Sequence, residues 1–194
     1  METFTYKEIL QQPSCWIKEY EVLLEEKTRI QAFLEKYLTN ETDIVLTGAG
    51  TSAFIGDAIA PLLRGVWKNV RAVATTDIVT NAADYLVADK PLLLISFARS
   101  GNSPESVAAV NLANAICKNV AHIYITCNKN GHLAQSANAE NILSLLLPEE
   151  TDDKSLAMTS SFSTMLLTCL MISQIDHIEA ERERREEMLM ELAE

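Results

Sequence analysis

The chain has 194 residues, of which 48% are hydrophobic and 22% charged, with only 5 prolines and 6 glycines. That composition is typical of a folded globular protein, and the length corresponds to about one domain. The 16 basic and 27 acidic residues leave a net charge of −11, which repels nucleic acid and anionic lipid. We therefore expect neither nucleic acid nor a membrane as a partner.

The cysteines and the first residues bear on the compartment. Cys15, Cys117, Cys127 and Cys169 are widely spaced inside apolar runs, without the paired spacing of a metal site. The N-terminal stretch lacks the basic and apolar regions of a signal peptide, and no run approaches the roughly 18 apolar residues of a membrane span. The sequence predicts buried free thiols in a cytoplasmic protein that carries neither a metal nor a cofactor.

The predicted elements begin with a long amphipathic helix. Apolar residues from Pro13 to Leu38 recur at a spacing of about 3.6, so we interpret residues 1–40 as a leading helical segment. Short apolar runs then alternate with helical stretches, which predicts a parallel sheet buried on both faces. The predicted strands are Asp43–Thr47, Val70–Thr75, Pro91–Phe97, Val120–Thr126 and Ile142–Leu147, with helices over Ser52–Val66 and Ser103–Cys117.

Right-handed crossovers join such elements into a doubly wound fold. The predicted fold class is therefore α/β, a three-layer sandwich with a five-stranded parallel sheet over residues 41–175 and long helices at both ends. The order of the elements is that of a flavodoxin-like domain.

The last predicted element is one long helix from Leu156 to Met190. Its first part, Ala157–Ile175, is apolar and is expected to pack, whereas Asp176–Glu194 carries eight acids and three arginines. A charge run of this kind is typical of a solvated face. We interpret residues 176–194 as a charged helix that leads toward a second lobe or a partner.

Two loops, after the first and third strands, carry unusual sequences. One is Thr47–Ser52, with two glycines and several hydroxyl side chains; the other is Phe97–Glu105, in which Ser103 and Pro104 are typical of a helix start. In an open parallel sheet both loops lie at the edge where ligands bind. Each leads into a helix N-terminus, which supplies free N–H groups and about half a positive charge. Together they predict an anion site, with Arg99 as a nearby cation.

Other phosphate-binding motifs fit these loops less well. A Walker A motif requires a Gly-Lys pair, and neither loop contains that lysine. Gly48–Ala53 matches the G-x-G-x-x-[GA] pattern of dinucleotide-binding domains, but the acid expected at the end of the second strand comes later, as Asp77. That pattern also leaves the serine-rich second loop unexplained, whereas a small phosphorylated molecule accounts for both loops.

At these two loops the sequence resembles the sugar isomerase (SIS) family, whose domains bind phosphosugars. The motifs are Gly48-Ala-Gly-Thr-Ser52 and Ala98–Glu105. Further similarity at Glu8–Pro13 and Leu147–Phe162 resembles the tagatose-6-phosphate ketose/aldose isomerase type, which is associated with galactosamine 6-phosphate deamination and isomerisation. The resemblance covers about Phe4–Gln174 and implies the SIS fold without a cofactor.

The resemblance also implies which residues contact the phosphosugar. The first loop supplies Gly50, Thr51 and Ser52, and the second supplies Ser100, Gly101 and Ser103. Ala98 departs from the serine that aminotransferase-type relatives have, and Arg99 is expected to compensate for the missing hydroxyl. A segment with Leu156, Ala157 and Thr159 corresponds to one that closes on the sugar, although Ser160 stands where those relatives often have lysine.

Catalytic candidates follow from the chemistry. Aldose/ketose isomerisation moves a proton between adjacent carbons, so it needs a base and an acid that opens the ring. The candidates are the acids Glu149, Glu150 and Asp152 and the histidines His122 and His132. Each has a structural alternative, since His122 lies in an apolar strand, His132 can open a short helix and the acids can be solvated.

Three functions remain open. Members of this type usually carry two such domains, and much of their acid and base machinery belongs to the second domain or a neighbouring subunit. A homodimer or contact with a second SIS lobe is therefore implied for this chain. The first function is a phosphosugar isomerase, deaminating or not, in amino-sugar catabolism; the alternatives are a non-catalytic phosphosugar-binding regulatory module and a dinucleotide-binding domain.

Overall fold

The helices and strands follow the apolar pattern of the chain. The computed structural model describes residues 3–179. The strands are β1 Asp43–Gly48, β2 Val70–Ala72, β3 Leu92–Ala98, β4 Val120–Thr126 and β5 Ile142–Leu146. The helices are α1 Phe4–Leu10, α2 Gln12–Tyr37, α3 Ala53–Leu63, α4 Thr75–Thr80, α5 Ala82–Tyr85, α6 Pro104–Ile116, α7 His132–Gln135 and α8 Ser160–Ser173. Single 3-10 turns cover Gly50–Ser52, Glu149–Thr151 and Ile175–His177.

The five strands form one parallel sheet in the order β2-β1-β3-β4-β5. The chain leaves β1 toward one edge of the sheet and leaves β3 toward the other, so the winding direction reverses between these two neighbours. In doubly wound folds ligands bind beyond the carboxyl ends of the strands at this switch point. The predicted five-stranded parallel sheet is confirmed, and β4 has the predicted bounds.

Helices cover both faces of the sheet. Side chains alternate along each strand, so Ile44 and Leu46 pack with α2, α3 and α8 while Val45 packs with α4 and α6. The leading helix α2 belongs to the first of these cores, where Tyr20 and Leu23 are fully buried. The predicted three-layer arrangement is therefore confirmed, and residues before the first strand are part of it.

The second strand is shorter than its apolar run predicts. A strand over Val70–Thr75 is wrong, because β2 ends at Ala72 and Thr75 begins α4. The Thr75 hydroxyl donates a hydrogen bond to the carbonyl oxygen of Gly48, at 3.1 Å. This contact joins the start of α4 to the end of β1.

The single long helix from Leu156 to Met190 is also wrong within the described residues. Leu156–Thr159 is not helical, and α8 covers only Ser160–Ser173 before a 3-10 turn. The turn directs Ile175 and Ile178 into the core, and the Tyr20 hydroxyl donates to the carbonyl oxygen of Ile178 at 3.0 Å. Apolar periodicity therefore continues past the point where the helix ends. Residues 180–194, most of the predicted charged helix, lie outside the described residues.

The structure also shows the state of the cysteines, the length of the helices and the grouping of possible metal ligands. All four cysteines are buried and free, as predicted. In the described range, none of the helices combines the length and apolarity needed to cross a membrane. Nor do His, Cys, Asp and Glu side chains of residues 3–179 cluster in a way that could hold a metal ion.

Glu19 is a buried carboxyl group between α2 and α8. It is 1% exposed, and its Oε1 accepts a hydrogen bond from the Thr168 hydroxyl at 2.9 Å. Its Oε2 has no hydrogen-bond partner among the described residues. Burial raises the pKa of Glu19 to about 8, and the hydrogen bond from Thr168 offsets this only in part. The side chain therefore keeps its proton near neutral pH.

We expect Glu19→Gln to stabilise the chain at alkaline but not at acidic pH. The unfolded glutamate ionises near pH 4.5 while the folded one keeps its proton to about 8, so stability falls as pH rises through this window. The amide cannot ionise and keeps an oxygen for Thr168, so we expect a gain of about 1–2 kcal/mol at about pH 8. Urea unfolding at about pH 4 and about pH 8 measures the difference. A gain of equal size at both pH values would contradict ionisation as its cause.

Candidate functional site

The loop after β1 depends on two glycines. Gly50 has a φ of 56°, in the left-handed region that glycine adopts without strain. At Gly48 there is no room for a side chain, because a Cβ would lie 2.6 Å from the backbone carbonyl carbon of Ser52. The tight fold lets the 3-10 turn Gly50–Ser52 lead directly into α3, with Ser52 4% exposed.

The loop after β3 is held by the segment that leads into α7. Gly101 has a φ of 65°, and the Ser100 hydroxyl accepts a hydrogen bond from the N–H of Asn102 at 3.3 Å. The side-chain oxygen of Asn102 accepts in turn from the N–H of His132 at 2.8 Å. A Cβ at Gly131 would collide with the carbonyl oxygen of Ser100, so this glycine permits the close approach. The β4–α7 connection therefore supports the second loop.

The start of α6 confirms the predicted helix signal and adds a detail. Ser103 is the N-cap residue and Pro104 occupies the first helical position. The Ser103 hydroxyl makes no capping bond to the helix; it donates instead to the hydroxyl of Ser106, at 2.6 Å. Both serines therefore belong to the surface between the two loops.

The two loops meet at a small cavity of about 140 Å³, the loop cavity, at the switch point between β1 and β3. A complete small-molecule site usually occupies about 300–1,000 Å³, so this volume fits an anionic group better than a whole hexose phosphate. Its lining consists of Ala49, Ser52, Phe97, Ala98, Arg99, Ser100, Gly101, Ser103, Ser106 and Met158. Of the predicted phosphosugar residues, Ser52, Arg99, Ser100, Gly101 and Ser103 are brought together here. Gly50 and Thr51 are exposed and lie outside the lining.

The electrostatics of the loop cavity oppose those of the whole chain. Arg99 is the one charged residue in its described lining, which includes four serines and no carboxylate. The adjoining helices α3 and α6 both begin at these loops, so the positive ends of their dipoles face this edge of the sheet. A chain with a net charge of −11 therefore has a local site suited to an anion.

The segment before α8 is anchored next to the loop cavity. Glu8 of α1 is 5% exposed, and its carboxylate accepts hydrogen bonds from the N–H groups of Lys154 at 2.7 Å and Ser155 at 3.1 Å. The Ser155 hydroxyl also donates to Glu8. The carbonyl oxygen of Ser155 accepts from Arg99 Nη1 at 3.0 Å. Glu8 was not predicted as a site residue, because its partners are more than a hundred residues away along the chain.

The predicted closing segment reaches the cavity through a different residue. Leu156 is 96% exposed and Ala157 is exposed, while the N–H of Thr159 donates to Asp153 at 2.9 Å. Met158, between them, lines the loop cavity, and its sulfur accepts a hydrogen bond from the Ser52 hydroxyl at 3.7 Å. Met158 was not singled out, because an isolated methionine gives no signal in a sequence.

None of the catalytic candidates belongs to the lining of the loop cavity. Glu150 is exposed and pairs with Lys18, whose hydrogen bond lowers the pKa of the Glu150 carboxyl. Glu149 and Asp152 line a neighbouring cavity of about 200 Å³ at the ends of β4 and β5. His132 is exposed in the first turn of α7, in the position of the structural alternative.

His122 is a core residue. It is fully buried in β4, with its Nε2 2.9 Å from the Asn114 side-chain oxygen, and burial lowers its pKa to about 4. The imidazole is therefore neutral near neutral pH and has no path to a ligand at the loops. Asp77, the acid considered for a dinucleotide, lies in the first turn of α4 rather than at the end of β2.

A doubly wound sheet whose switch-point loops form a serine-lined, positively charged cavity defines an anion-binding α/β domain. Its family follows from comparison with known proteins. The SIS domain model matches residues 37–173, and the chain belongs to the SIS domain family.

Comparison with individual proteins shows which SIS-domain proteins the chain is similar to. The chain is 53% identical to D-galactosamine-6-phosphate deaminase AgaS of Escherichia coli over 88% of its own length, and 46% identical to the protein of that name from Shewanella sp. over 87%. It is 48% identical to tagatose-6-phosphate ketose/aldose isomerase from Escherichia coli, whose crystal structure superposes on 98% of this chain with a TM-score of 0.88. The match spans 45% of the two deaminases and 54% of the crystallised isomerase, so the chain spans about half the length of these relatives.

Proposed function

We propose that the chain is the phosphosugar-binding half of an enzyme that deaminates or isomerises galactosamine 6-phosphate in amino-sugar catabolism. The observation that carries the proposal is the loop cavity, in which four serines and Arg99 meet without a carboxylate. The 53% identity to a protein named D-galactosamine-6-phosphate deaminase supports the choice of sugar. The cavity holds the phosphate, and the sugar extends from it along the carboxyl edge of the sheet.

The deaminating reaction requires one proton shift and one hydrolysis. After the sugar ring opens, a base removes the proton at C2 while the aldehyde oxygen at C1 takes up a proton, which gives an enol-amine. A proton is then delivered to C1 while the nitrogen loses one, which leaves an alcohol at C1 and an imine at C2. Water then adds to the imine, and ammonia leaves, so that galactosamine 6-phosphate and water give tagatose 6-phosphate and ammonia. Without the amino group the same shift interconverts an aldose and a ketose.

Glu149 and His132 are the candidates of this chain for the base and the ring-opening acid. Glu149 lines the cavity next to the loop cavity, whereas Glu150 is already paired with Lys18. Because the chain spans about half of its relatives, we propose that a second SIS lobe or a second copy completes the acid and base groups. We place the protein in the cytoplasm, where sugar phosphates are metabolised.

A phosphosugar-binding regulatory module is the second candidate function. The described lining of the loop cavity contains no carboxylate that could act as a base, which favours binding without turnover. Ammonia release from galactosamine 6-phosphate separates the two, because the enzyme releases it and the module does not. The assay should include the chain alone and the chain with the half of a full-length relative that it does not match, since we propose that a second lobe completes the acid and base groups.

We expect Ser100→Ala to weaken the binding of galactosamine 6-phosphate about 10–100-fold. The substitution removes a hydroxyl that faces a charged phosphate, and such a hydrogen bond contributes about 1.5–3 kcal/mol. Isothermal titration calorimetry measures the change. Ser136→Ala, at an exposed serine that ends α7, is the matched control. An unchanged dissociation constant in Ser100→Ala would remove the second loop from the proposed site.

A further inference from the structure

The carboxylate of Glu8 is the buried group of an otherwise exposed helix. Phe4 and Leu10 of α1 are 63% and 62% exposed, whereas Glu8 is 5% exposed. A buried carboxylate needs hydrogen-bond donors to offset the loss of water. All three donors that the structure gives it belong to Lys154 and Ser155, so the inward contact of α1 is made to the segment before α8.

Ser155 connects Glu8 to the loop cavity. Its N–H and hydroxyl donate to Glu8, while its carbonyl oxygen, 3.0 Å from Arg99 Nη1, accepts from the guanidinium. The N–H and the carbonyl of Ser155 belong to adjacent peptide groups joined at its Cα, so holding the residue by its N–H and hydroxyl restricts the direction of its carbonyl oxygen. Arg99 lines the loop cavity and has five N–H donors in a rigid plane, so one bond to Ser155 orients the remaining donors.

The other end of this segment has a separate anchor. Asp153 accepts hydrogen bonds from the N–H groups of Thr159 and Ser161, both at 2.9 Å, and so fixes the start of α8. Between these two anchors the chain passes Met158, which accepts the hydrogen bond of Ser52 at the cavity. Loss of Asp153 contacts would therefore alter α8, whereas loss of Glu8 contacts would alter the position of Ser155 and its bond to Arg99.

We propose that Glu8 is a positioning residue of the phosphosugar site, which holds Lys154 and Ser155 in place and thereby directs the Arg99 guanidinium at the phosphate. The identity of the ligand in this inference rests on the proposed function. The role of Glu8 is indirect, since the residue is separated from the loop cavity by Ser155 and Arg99.

A double-mutant cycle tests this arrangement. We expect Glu8→Ala and Arg99→Ala each to weaken galactosamine 6-phosphate binding about tenfold or more. The double variant should bind no more weakly than Arg99→Ala, because both changes act on the one contact between Arg99 and the phosphate. Glu8→Gln should recover part of the loss, since its amide oxygen still accepts from the two N–H groups. Glu21→Gln, at an exposed position of α2, is the matched control.

Amide hydrogen exchange of the unliganded chain provides a second measurement. The N–H groups of Lys154 and Ser155 should exchange faster in Glu8→Ala than in the wild type, while the N–H of Ser161 should be unchanged. If the wild type binds the sugar phosphate, each of three results would overturn the role of Glu8 and leave the proposed function intact. They are unchanged affinity in Glu8→Ala, losses from Glu8→Ala and Arg99→Ala that add fully in the double variant, and unchanged exchange at both Lys154 and Ser155. A wild-type chain that binds no galactosamine 6-phosphate would overturn the proposed function together with it.

Discussion

Galactosamine 6-phosphate is expected to bind the chain at least about 1,000-fold more tightly than galactosamine. The loop cavity has room for an anionic group, and its serines and Arg99 are donors for phosphate oxygens. Each hydrogen bond to a charged group contributes about 1.5–3 kcal/mol, so the loss of two or three of them accounts for the difference. Isothermal titration calorimetry with both sugars and with inorganic phosphate measures it.

Competition with inorganic phosphate, the effect of salt, the comparison of the two sugars and a titration with NAD each test the anion site. Inorganic phosphate should compete with the sugar phosphate, because both place the same group in the loop cavity. Affinity should fall with added salt, since the partly exposed site pairs a cation with a dianion. Equal binding of the two sugars would contradict the anion site as a whole, and tight binding of NAD instead would favour a dinucleotide domain.

The sheet could be predicted from the sequence because its signals are local. Each strand is a short run of aliphatic residues between turn residues, and β4, Val120–Thr126, was predicted to the residue. The bounds of the terminal helix were not predicted, because they depend on groups outside the helix itself. The N-terminus of α8 is fixed by Asp153, and the turn after Ser173 is stabilised by the Tyr20 hydroxyl from the opposite end of the chain.

Some residues of the candidate site could likewise be predicted from their local sequence, and others could not. Glycines and serines at helix starts are readable in a sequence, and five of the predicted phosphosugar residues do line the loop cavity. Glu8 and Met158 lie in segments that carry the resemblance, but nothing in the sequence indicates which contacts they make; Glu8 is 146 residues from its partner Lys154. The resemblance did indicate the segment before α8, but the residue that reaches the cavity can be identified only in three dimensions.

Under the proposed function, the groups that bind the phosphate and the candidate catalytic groups of this chain carry charges of opposite sign. The loop cavity is lined by hydroxyls and one arginine, while Glu149 and Asp152 line the neighbouring cavity. Carboxylates beside the phosphate would repel a dianion, so their absence from the described lining favours binding. A base is needed at C2, four carbons from the phosphate-bearing carbon, and groups outside the loop cavity are therefore suited to that role.

The side chain of Asp153 joins the segment before α8 to the first turn of that helix. Its replacement should be the most destabilising change at the site. The residue is 6% exposed, and its carboxylate accepts from the N–H groups of Thr159 and Ser161 and from the hydroxyls of Thr159, Ser160 and Ser161. Burial by itself would raise the pKa of Asp153, but the hydrogen bonds from Ser160, Ser161 and Thr159 outweigh it and hold the pKa below its ordinary value of 3.8. The ionised carboxylate therefore stabilises the folded state.

Asp153→Ala is expected to lower the free energy of unfolding by about 2–4 kcal/mol near neutral pH, because it leaves the first turn of α8 without its cap and two buried hydroxyls without an acceptor. Asp153→Asn should cost less, since one oxygen remains to accept. Because the folded pKa is depressed, this stabilisation is complete above about pH 4 and is lost as pH falls through the folded pKa. The difference between wild type and variant in urea unfolding should therefore shrink in acid.

Asp152→Ala, at the exposed neighbouring carboxylate, should change stability by less than about 0.5 kcal/mol. A similar loss in Asp152→Ala, or a loss in Asp153→Ala that grows in acid, would contradict the capping role.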